Sequence, residues 1–315
     1  MTPTLHAPAR RRALALSAAA LVGALSLAGC GGDPLSGGDD KKDGDSKTVT
    51  VSSANFPESE VIGNLYAGAL KAKGVEVEEK FNIGSREAYI PALEDGSIDV
   101  VPDYTGNLLS FLDEKADISS PEKIDAELPK ALDAKGLTML DKAPAEDKDS
   151  MTVTADTAKQ WSLKSIGDLK AHNADLTVGA PPEFQKRSVG LPGLEKLYGV
   201  KPAKFEAISD GGGPATVKAL TDGKVKAANI FTTSPAIKAN GLVVLEDPKD
   251  NFPAQNVIPV MKADGASDEV KDALNAVSKQ LSTDELRKLN DEVSGDAKTE
   301  PSKAAEDWLK EKGLG

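Results

Sequence analysis

Three short segments of the chain carry side chains suited to holding a small charged molecule. Tyr104 and Asn107 follow a short buried strand run, and Arg187 follows a strand and a Pro-Pro turn. Phe231 ends a third strand run and precedes two hydroxyl residues, Thr232 and Thr233. Binding residues of open α/β sheets gather at such strand ends. A guanidinium binds a carboxylate through paired hydrogen bonds, and ring faces attract cations. We therefore predict that Arg187 holds an anionic group and that Tyr104 and Phe231 face a cation.

The sequence lacks the motifs of common enzyme classes. It contains no G-x-S-x-G, no P-loop and no H-E-x-x-H motif. Its only histidines are His6 and His172, which leaves almost no material for a histidine-based metal site or catalytic triad. Gly211-Gly212-Gly213 lacks the lysine and hydroxyl of a P-loop and predicts a tight turn before a helix at Pro214. We predict a protein that is not an enzyme and uses neither cofactor nor metal.

The N-terminus has the pattern of an export signal. Arg10-Arg11-Arg12 precede an apolar run of 15 residues, Ala13 to Leu27, which ends in Leu27-Ala28-Gly29-Cys30. This order is typical of a signal peptide, and the run is shorter than the about 20 residues of a membrane-spanning helix. We predict a lipoprotein signal at residues 1–29 and lipidation of Cys30, the only cysteine, at the extracytoplasmic face of a bacterial membrane. An ordinary secretory signal is the alternative.

Composition limits the class of partner. The formal charge of −12 becomes −15 when the three arginines of residues 1–29 are removed. An acidic chain argues against a nucleic-acid partner, because phosphate binding requires basic patches. Residues 30–47 are rich in Gly, Asp, Lys and Ser, which predicts a flexible tether.

Strand and helix patterns alternate twice along the mature chain, and helical patterns close it. This order predicts an α/β fold with two lobes and a ligand cleft between them. We expect residues 48–144 and 251–315 to form lobe 1, and residues 145–250 to form lobe 2.

Several motifs identify a family. They are Ala54-Asn55-Phe56-Pro57-Glu58-Ser59, Gly84-Ser85-Arg86-Glu87, Ala92-Leu93-Glu94-Asp95-Gly96-Ser97-Ile98-Asp99, Asp103-Tyr104-Thr105-Gly106, Glu183-Phe184 with Arg187, Gly190-Leu191-Pro192-Gly193-Leu194, Tyr198-Gly199, Phe231-Thr232-Thr233 and Phe252-Pro253. Through them, from about Thr48 to Leu314, the chain resembles the osmoprotectant-binding proteins of ABC importers, which capture glycine betaine, choline and carnitine. The resemblance implies the two-lobed periplasmic-binding fold, type II-like.

The resemblance also implies a site: a cage of tyrosines around a quaternary ammonium, with an arginine for the carboxylate of the solute. Tyr104 matches one cage tyrosine, and Arg187 matches the arginine. Asn107 replaces a threonine that helps to hold the carboxylate, and Ala54 replaces a lysine.

Three cage positions depart from the family pattern. Phe231 stands in place of a tyrosine, and Gln255 and Met151 stand at positions where rings are expected. The cage is thus reduced to two rings, and each lost ring removes about 0.5–2 kcal/mol for a desolvated cation. Gln255 is expected to orient the solute by hydrogen bonds, together with Asn107, Thr232 and Thr233.

From these features we predict a monomeric, lipid-anchored solute-binding protein of an ABC importer. Its lobes would close on a quaternary-ammonium solute by hinge motion, and the closed form would dock on a membrane permease that works with an ATPase. Other functions stay open: a binding protein for another zwitterion, such as a thiol-imidazole betaine or an amino acid, a cell-envelope enzyme, or a structural or signalling lipoprotein that has lost its ligand.

Overall fold

The computed structural model describes residues 48–265 and 267–315, all within one compact unit. The predicted signal peptide, the tether and Cys30 lie outside the described residues. Among the described helices, none is both long and apolar enough to cross a membrane.

Ten strands occur in the described residues. They are β1 (Val49–Ser52), β2 (Val77–Lys80), β3 (Val100–Tyr104), β4 (Leu137–Met139), β5 (Met151–Thr154), β6 (Thr177–Ala180), β7 (Lys204–Ala207), β8 (Ala227–Asn229), β9 (Leu242–Val244) and β10 (Val257–Lys262).

The strands form two sheets of similar design. The first has the order β2-β1-β3-β10-β4, and the second has the order β7-β6-β8-β5-β9. In the first sheet β1 is parallel to β2 and β3, and β10 runs antiparallel between β3 and β4. In the second sheet β6 is parallel to β7 and β8, and β5 runs antiparallel between β8 and β9. Each sheet therefore collects the carboxyl ends of three parallel strands at one edge.

Helices connect the strands and close the chain. They are α1 (Pro57–Ala72), α2 (Arg86–Asp95), α3 (Thr105–Leu112), α4 (Pro121–Asp133), α5 (Ala155–Trp161), α6 (Leu191–Tyr198), α7 (Pro214–Thr221), α8 (Pro235–Ala239), α9 (Asp268–Gln280), α10 (Thr283–Ser294) and α11 (Pro301–Lys312). Short 3₁₀ helices cover Ile166–His172 and Pro182–Gln185. The predicted α/β fold is confirmed.

Apolar side chains cover both faces of each sheet. On one face of the first sheet, Leu65 of α1 shares a core with Leu274 of α9 and Trp308 of α11. The C-terminal helices thus return to the first sheet, because the apolar face of α1 needs their cover. We call each sheet with the helices packed on it a lobe.

One local prediction was wrong where it matters for the site. The sequence pattern placed Tyr104 and Asn107 after the end of a short buried strand. In the structure β3 continues to Tyr104, because β10 pairs with it as far as the Val257–Tyr104 position. Helix α3 begins directly afterwards, and Gly106 is required there, since a Cβ would lie 2.5 Å from the carbonyl oxygen of Ala254.

The chain passes between the lobes twice, after β4 and after β9. The two crossing segments lie side by side: the amide of Asp147 donates to the carbonyl of Gln255 at 3.1 Å, and Glu146 forms an antiparallel bridge with Asn256. These segments bring polar side chains to the boundary between the sheets.

Candidate functional site

A cavity of about 470 Å³ opens between the lobes, and residues of both line it. Five of the residues predicted to bind a solute lie in its lining: Tyr104, Asn107, Arg187, Phe231 and Gln255. The structure therefore brings the two predicted rings and the predicted guanidinium to one place.

Three aromatic rings stand in a row at this cavity. Phe56 is in the middle, with its ring centroid 6.2 Å from that of Tyr104 and 5.3 Å from that of Phe231. Phe56 and Tyr104 come from the first lobe and Phe231 from the second. Phe56 belongs to a family motif but is not among the residues predicted to bind a solute, although it follows β1 and precedes Pro57, and so satisfies the same strand-end rule. Tyr89 and Phe184 add further aromatic lining.

Tyr104 is held firmly by two acids. Its amide donates to Oδ1 of Asp103 at 2.6 Å, and its hydroxyl donates to Oε1 of Glu58 at 2.5 Å. Burial and the neighbouring charge of Glu58 raise the pKa of Tyr104 well above its ordinary value. The phenol therefore stays neutral and acts as a hydrogen-bond donor to Glu58.

Arg187 follows the 3₁₀ helix after β6 and reaches across to the other lobe. Its Nη2 lies 2.9 Å from Oε2 of Glu87, and its Nε lies 3.3 Å from Oε1 of the same side chain. Glu183 is more distant, with 3.7 Å between its Oε1 and Nη2. The predicted anion-binding residue is thus in the cavity, paired with a carboxylate of α2.

Amide side chains join the lobes at the centre of the cavity. Oε1 of Gln255 accepts a hydrogen bond from the backbone N–H of Asn107 at 3.0 Å. The side-chain Nδ2 of Asn107 donates to Oδ2 of Asp149 at 2.5 Å. The other oxygen of Asp149 accepts from Nδ2 of Asn229 at 2.9 Å. Oδ1 of Asn107 is buried and has no protein partner.

Three of the predicted site residues do not line this cavity. Met151 is fully buried in the core of the second lobe, where β5 packs it beside Val153. The hydroxyl of Thr232 donates to Oδ1 of Asp147 at 3.2 Å, and that of Thr233 donates to Oε2 of Glu58 at 2.6 Å. The two hydroxyls therefore donate to buried acidic side chains instead of facing the cavity.

Glu58 and Asp147 form a buried acidic pair at the lobe boundary. Glu58 accepts hydrogen bonds from Tyr104, Thr233 and Asn290, whereas Oδ2 of Asp147 has no partner. Burial and the charge of Glu58 raise the pKa of Asp147 well above its ordinary value. Because Glu58 has the better set of donors, we assign the proton to Asp147.

This assignment predicts a pH dependence of stability. Above the ordinary pKa of an aspartate, this residue loses its proton in the unfolded chain, whereas folded Asp147 keeps it. The free energy of unfolding therefore falls as pH rises, by about 1.4 kcal/mol for each pH unit. We expect the free energy of unfolding of Asp147→Asn, relative to wild type, to increase from pH 4 to pH 7. Urea unfolding at each pH measures it, with the exposed Asp125→Asn as control. Parallel profiles for Asp147→Asn and wild type would contradict the assignment.

A second cavity of about 450 Å³ lies behind the rings. Phe56, Phe231 and Gly211 line both cavities, so these residues form the wall between them. Gly211 has a φ of +60°, and a Cβ there would lie 2.6 Å from Cβ of Phe56. The Gly211-Gly212-Gly213 turn does open α7, as the sequence predicted, and its shape lets the lobes approach.

Within residues 48–265 and 267–315, no group of three or more metal-ligating side chains forms a metal site. The buried charged pair beside the cavity is Arg86 with Asp103, which belongs to the protein itself. The arrangement suits a small molecule bound by rings, amides and one guanidinium.

Comparisons with known proteins agree with this reading. The chain is 30% identical over 284 residues to the glycine betaine-binding protein YehZ of Escherichia coli (strain K12), covering 84% of this chain and 90% of that protein. It is 27% identical over 308 residues to the carnitine transport binding protein OpuCC of Listeria monocytogenes, covering 94% and 93%. A crystal structure of a glycine betaine/carnitine/choline ABC transporter superposes with a TM-score of 0.65 at 26% identity, covering 84% of this chain and 99% of the other.

The family resemblance inferred from the motifs is confirmed. The profile of the substrate-binding domain of ABC-type glycine betaine transport systems matches residues 47–311. That span includes both sheets, every lining residue of the cavity and all but the last residue of the C-terminal helices. The chain belongs to this family of ABC-importer substrate-binding proteins.

Proposed function

We propose that the protein captures a small quaternary-ammonium solute in the cavity between its lobes and delivers it to an ABC permease and its ATPase. The observation that carries the proposal is the row of Phe56, Tyr104 and Phe231, three rings from both lobes at one cavity. A desolvated cation gains most where several ring faces surround it, because each ring contributes its own electrostatic attraction.

Closure of the lobes completes the site in this proposal. The ring row needs both lobes, and so does the Arg187–Glu87 pair. The paired crossing segments at Asp147 and Gln255 are the natural hinge, since they alone among the described residues carry the chain between the sheets. We propose residues 48–144 and 251–315 as lobe 1 and residues 145–250 as lobe 2.

In this proposal the N-terminal signal, Cys30 and the tether determine where in the cell the protein acts. Cleavage before Cys30 and acylation of its sulfur would fix a monomer to the outer face of the cell membrane, with residues 30–47 as its tether. A tether of this kind raises the local concentration of the binding protein near its permease. Mass spectrometry of the membrane-extracted protein tests the anchor: a diacylated or triacylated Cys30 supports it, and an unmodified Cys30 contradicts it.

Isothermal calorimetry of the purified protein with glycine betaine, choline and carnitine tests the solute. We expect saturable heat with at least one of them. Heat with none of the three would reject the proposed solute class.

A second solute belongs in the same titration. One relative, 24% identical over 276 residues and covering 85% of this chain but 48% of that protein, is the ergothioneine transport permease/ergothioneine binding protein EgtU of Helicobacter pylori (strain G27). This observation favours a bulkier betaine as the alternative. Binding of ergothioneine with no heat from the three smaller solutes would select it.

The ring row gives a direct prediction. Phe56→Leu keeps the apolar bulk but removes the π face, so we expect it to weaken binding of the cation by about 2- to 30-fold, equivalent to about 0.5–2 kcal/mol. Phe56→Tyr retains the ring and should bind within about twofold of wild type. Calorimetric Kd values decide the matter. If Phe56→Leu binds as tightly as wild type, Phe56 is only packing between the lobes.

A further inference from the structure

Arg187 is already occupied by the protein's own acid. Glu87 of α2 presents two oxygens to two nitrogens of the guanidinium, at 2.9 Å and 3.3 Å. The carboxylate of a zwitterionic solute would use this same paired geometry, because a planar guanidinium and a planar carboxylate match in that way. Glu87 therefore takes the position that such a carboxylate needs.

Glu87 is fixed in this position. The hydroxyl of Ser85 donates to its Oε2 at 2.6 Å. Partial burial acts to raise the pKa of Glu87, but the hydrogen bonds from Arg187 and Ser85 outweigh it and leave the pKa below its ordinary value. The side chain is thus a carboxylate at neutral pH, held from both sides.

The rest of the lining offers no substitute cation. Arg86, the other guanidinium at the cavity, is bound to the fully buried Asp103. No lysine occurs among the described residues that line the cavity. Four acids do, namely Glu87, Asp147, Asp149 and Glu183. A carboxylate entering the cavity meets more acidic than basic side chains, whereas a neutral hydroxyl is not repelled by them.

We infer that Glu87 is a specificity-determining residue: by holding Arg187 it disfavours solutes with a carboxylate and selects quaternary-ammonium alcohols, the class of choline. The inference rests on the proposed function. A solute with a carboxylate has to displace Glu87 from Arg187 before it binds, and a quaternary-ammonium alcohol leaves the pair intact.

The test compares two solutes that differ at one end, glycine betaine and choline, on the full-length mature protein. Glu87→Gln removes the negative charge and keeps the shape of the side chain. We expect Kd for glycine betaine to fall about tenfold and Kd for choline to change by less than about twofold. Glu94→Gln is the matched control, because Glu94 lies on the same helix outside the cavity and pairs with Lys135. It should leave both Kd values unchanged.

The ratio of the two Kd values separates the possible outcomes. The inference is overturned if the ratio in Glu87→Gln lies within about twofold of the wild-type ratio. If Glu87→Gln also weakens the binding of both solutes equally, the ion pair serves only to hold the two lobes together. If wild type binds both solutes and only the ratio fails to change, the proposed function stands. If wild type binds neither, the inference fails, and the proposed function fails as well only when carnitine also gives no heat.

Discussion

Arg187→Ala is expected to weaken glycine betaine binding by about 30- to 100-fold, or roughly 2–3 kcal/mol. The reason is the composition of the cavity around the guanidinium. Without Arg187 the solute carboxylate faces Glu87 and Glu183, and the remaining guanidinium of the lining, Arg86, is bound to Asp103. Choline has no carboxylate, so its Kd should stay within about threefold of wild type.

Lys186→Ala is the matched control for this experiment, since Lys186 is the adjacent cation and does not line the cavity. Calorimetry with both solutes gives the comparison. A similar loss for choline and glycine betaine in Arg187→Ala would mean that Arg187 acts by joining the lobes and not by binding a carboxylate.

Asp103→Asn is expected to lower the free energy of unfolding by about 3–5 kcal/mol, because it leaves the buried Arg86 without its counter-charge. Asp103 is fully buried, and both of its oxygens are in use. Nε of Arg86 donates to Oδ1 at 3.1 Å, and the hydroxyl of Tyr89 donates to Oδ2 at 2.8 Å. Asparagine is nearly the same size, so the loss measures charge and hydrogen bonding and not a cavity.

Urea unfolding at neutral pH measures the effect. The control is Asp125→Asn, which breaks an exposed pair with Lys142 and should change stability by less than about 1 kcal/mol. Equal midpoints for Asp103→Asn and wild type would show that water reaches Arg86 and replaces the lost partner.

The general plan of the fold could be predicted from the sequence, because it depends on local patterns. Alternating strand and helix patterns predicted two α/β sheets, and strand-end positions predicted that Tyr104, Arg187 and Phe231 would meet. The two ends of α1 are marked in the sequence. Pro57 suits the first turn, and Gly74 lies just after the last helical residue, where it takes a positive φ. At β3 the local pattern did not predict the end of the strand, because pairing with β10 extends the strand to Tyr104.

The remaining site contacts depend on side chains that are distant in the chain. Glu87 and Arg187 are 100 positions apart, and no local pattern marks them as partners. Met151 occupies a strand of four residues that is almost wholly buried, so alternation does not reveal which face it takes. Phe56 satisfies the strand-end rule, but the helical pattern that begins at Pro57 is the stronger local signal there and conceals its role.

The contact between Phe56 and Phe231 acts as a partition with a chamber on each side. Since one ring belongs to each lobe, the partition exists only while the lobes are together. A separation of the lobes would open the wall between the two chambers and expose the ring faces to solvent, which weakens their attraction for a cation. The same movement would thus weaken the ring contacts and admit solvent, so a bound cation could leave without a separate opening step.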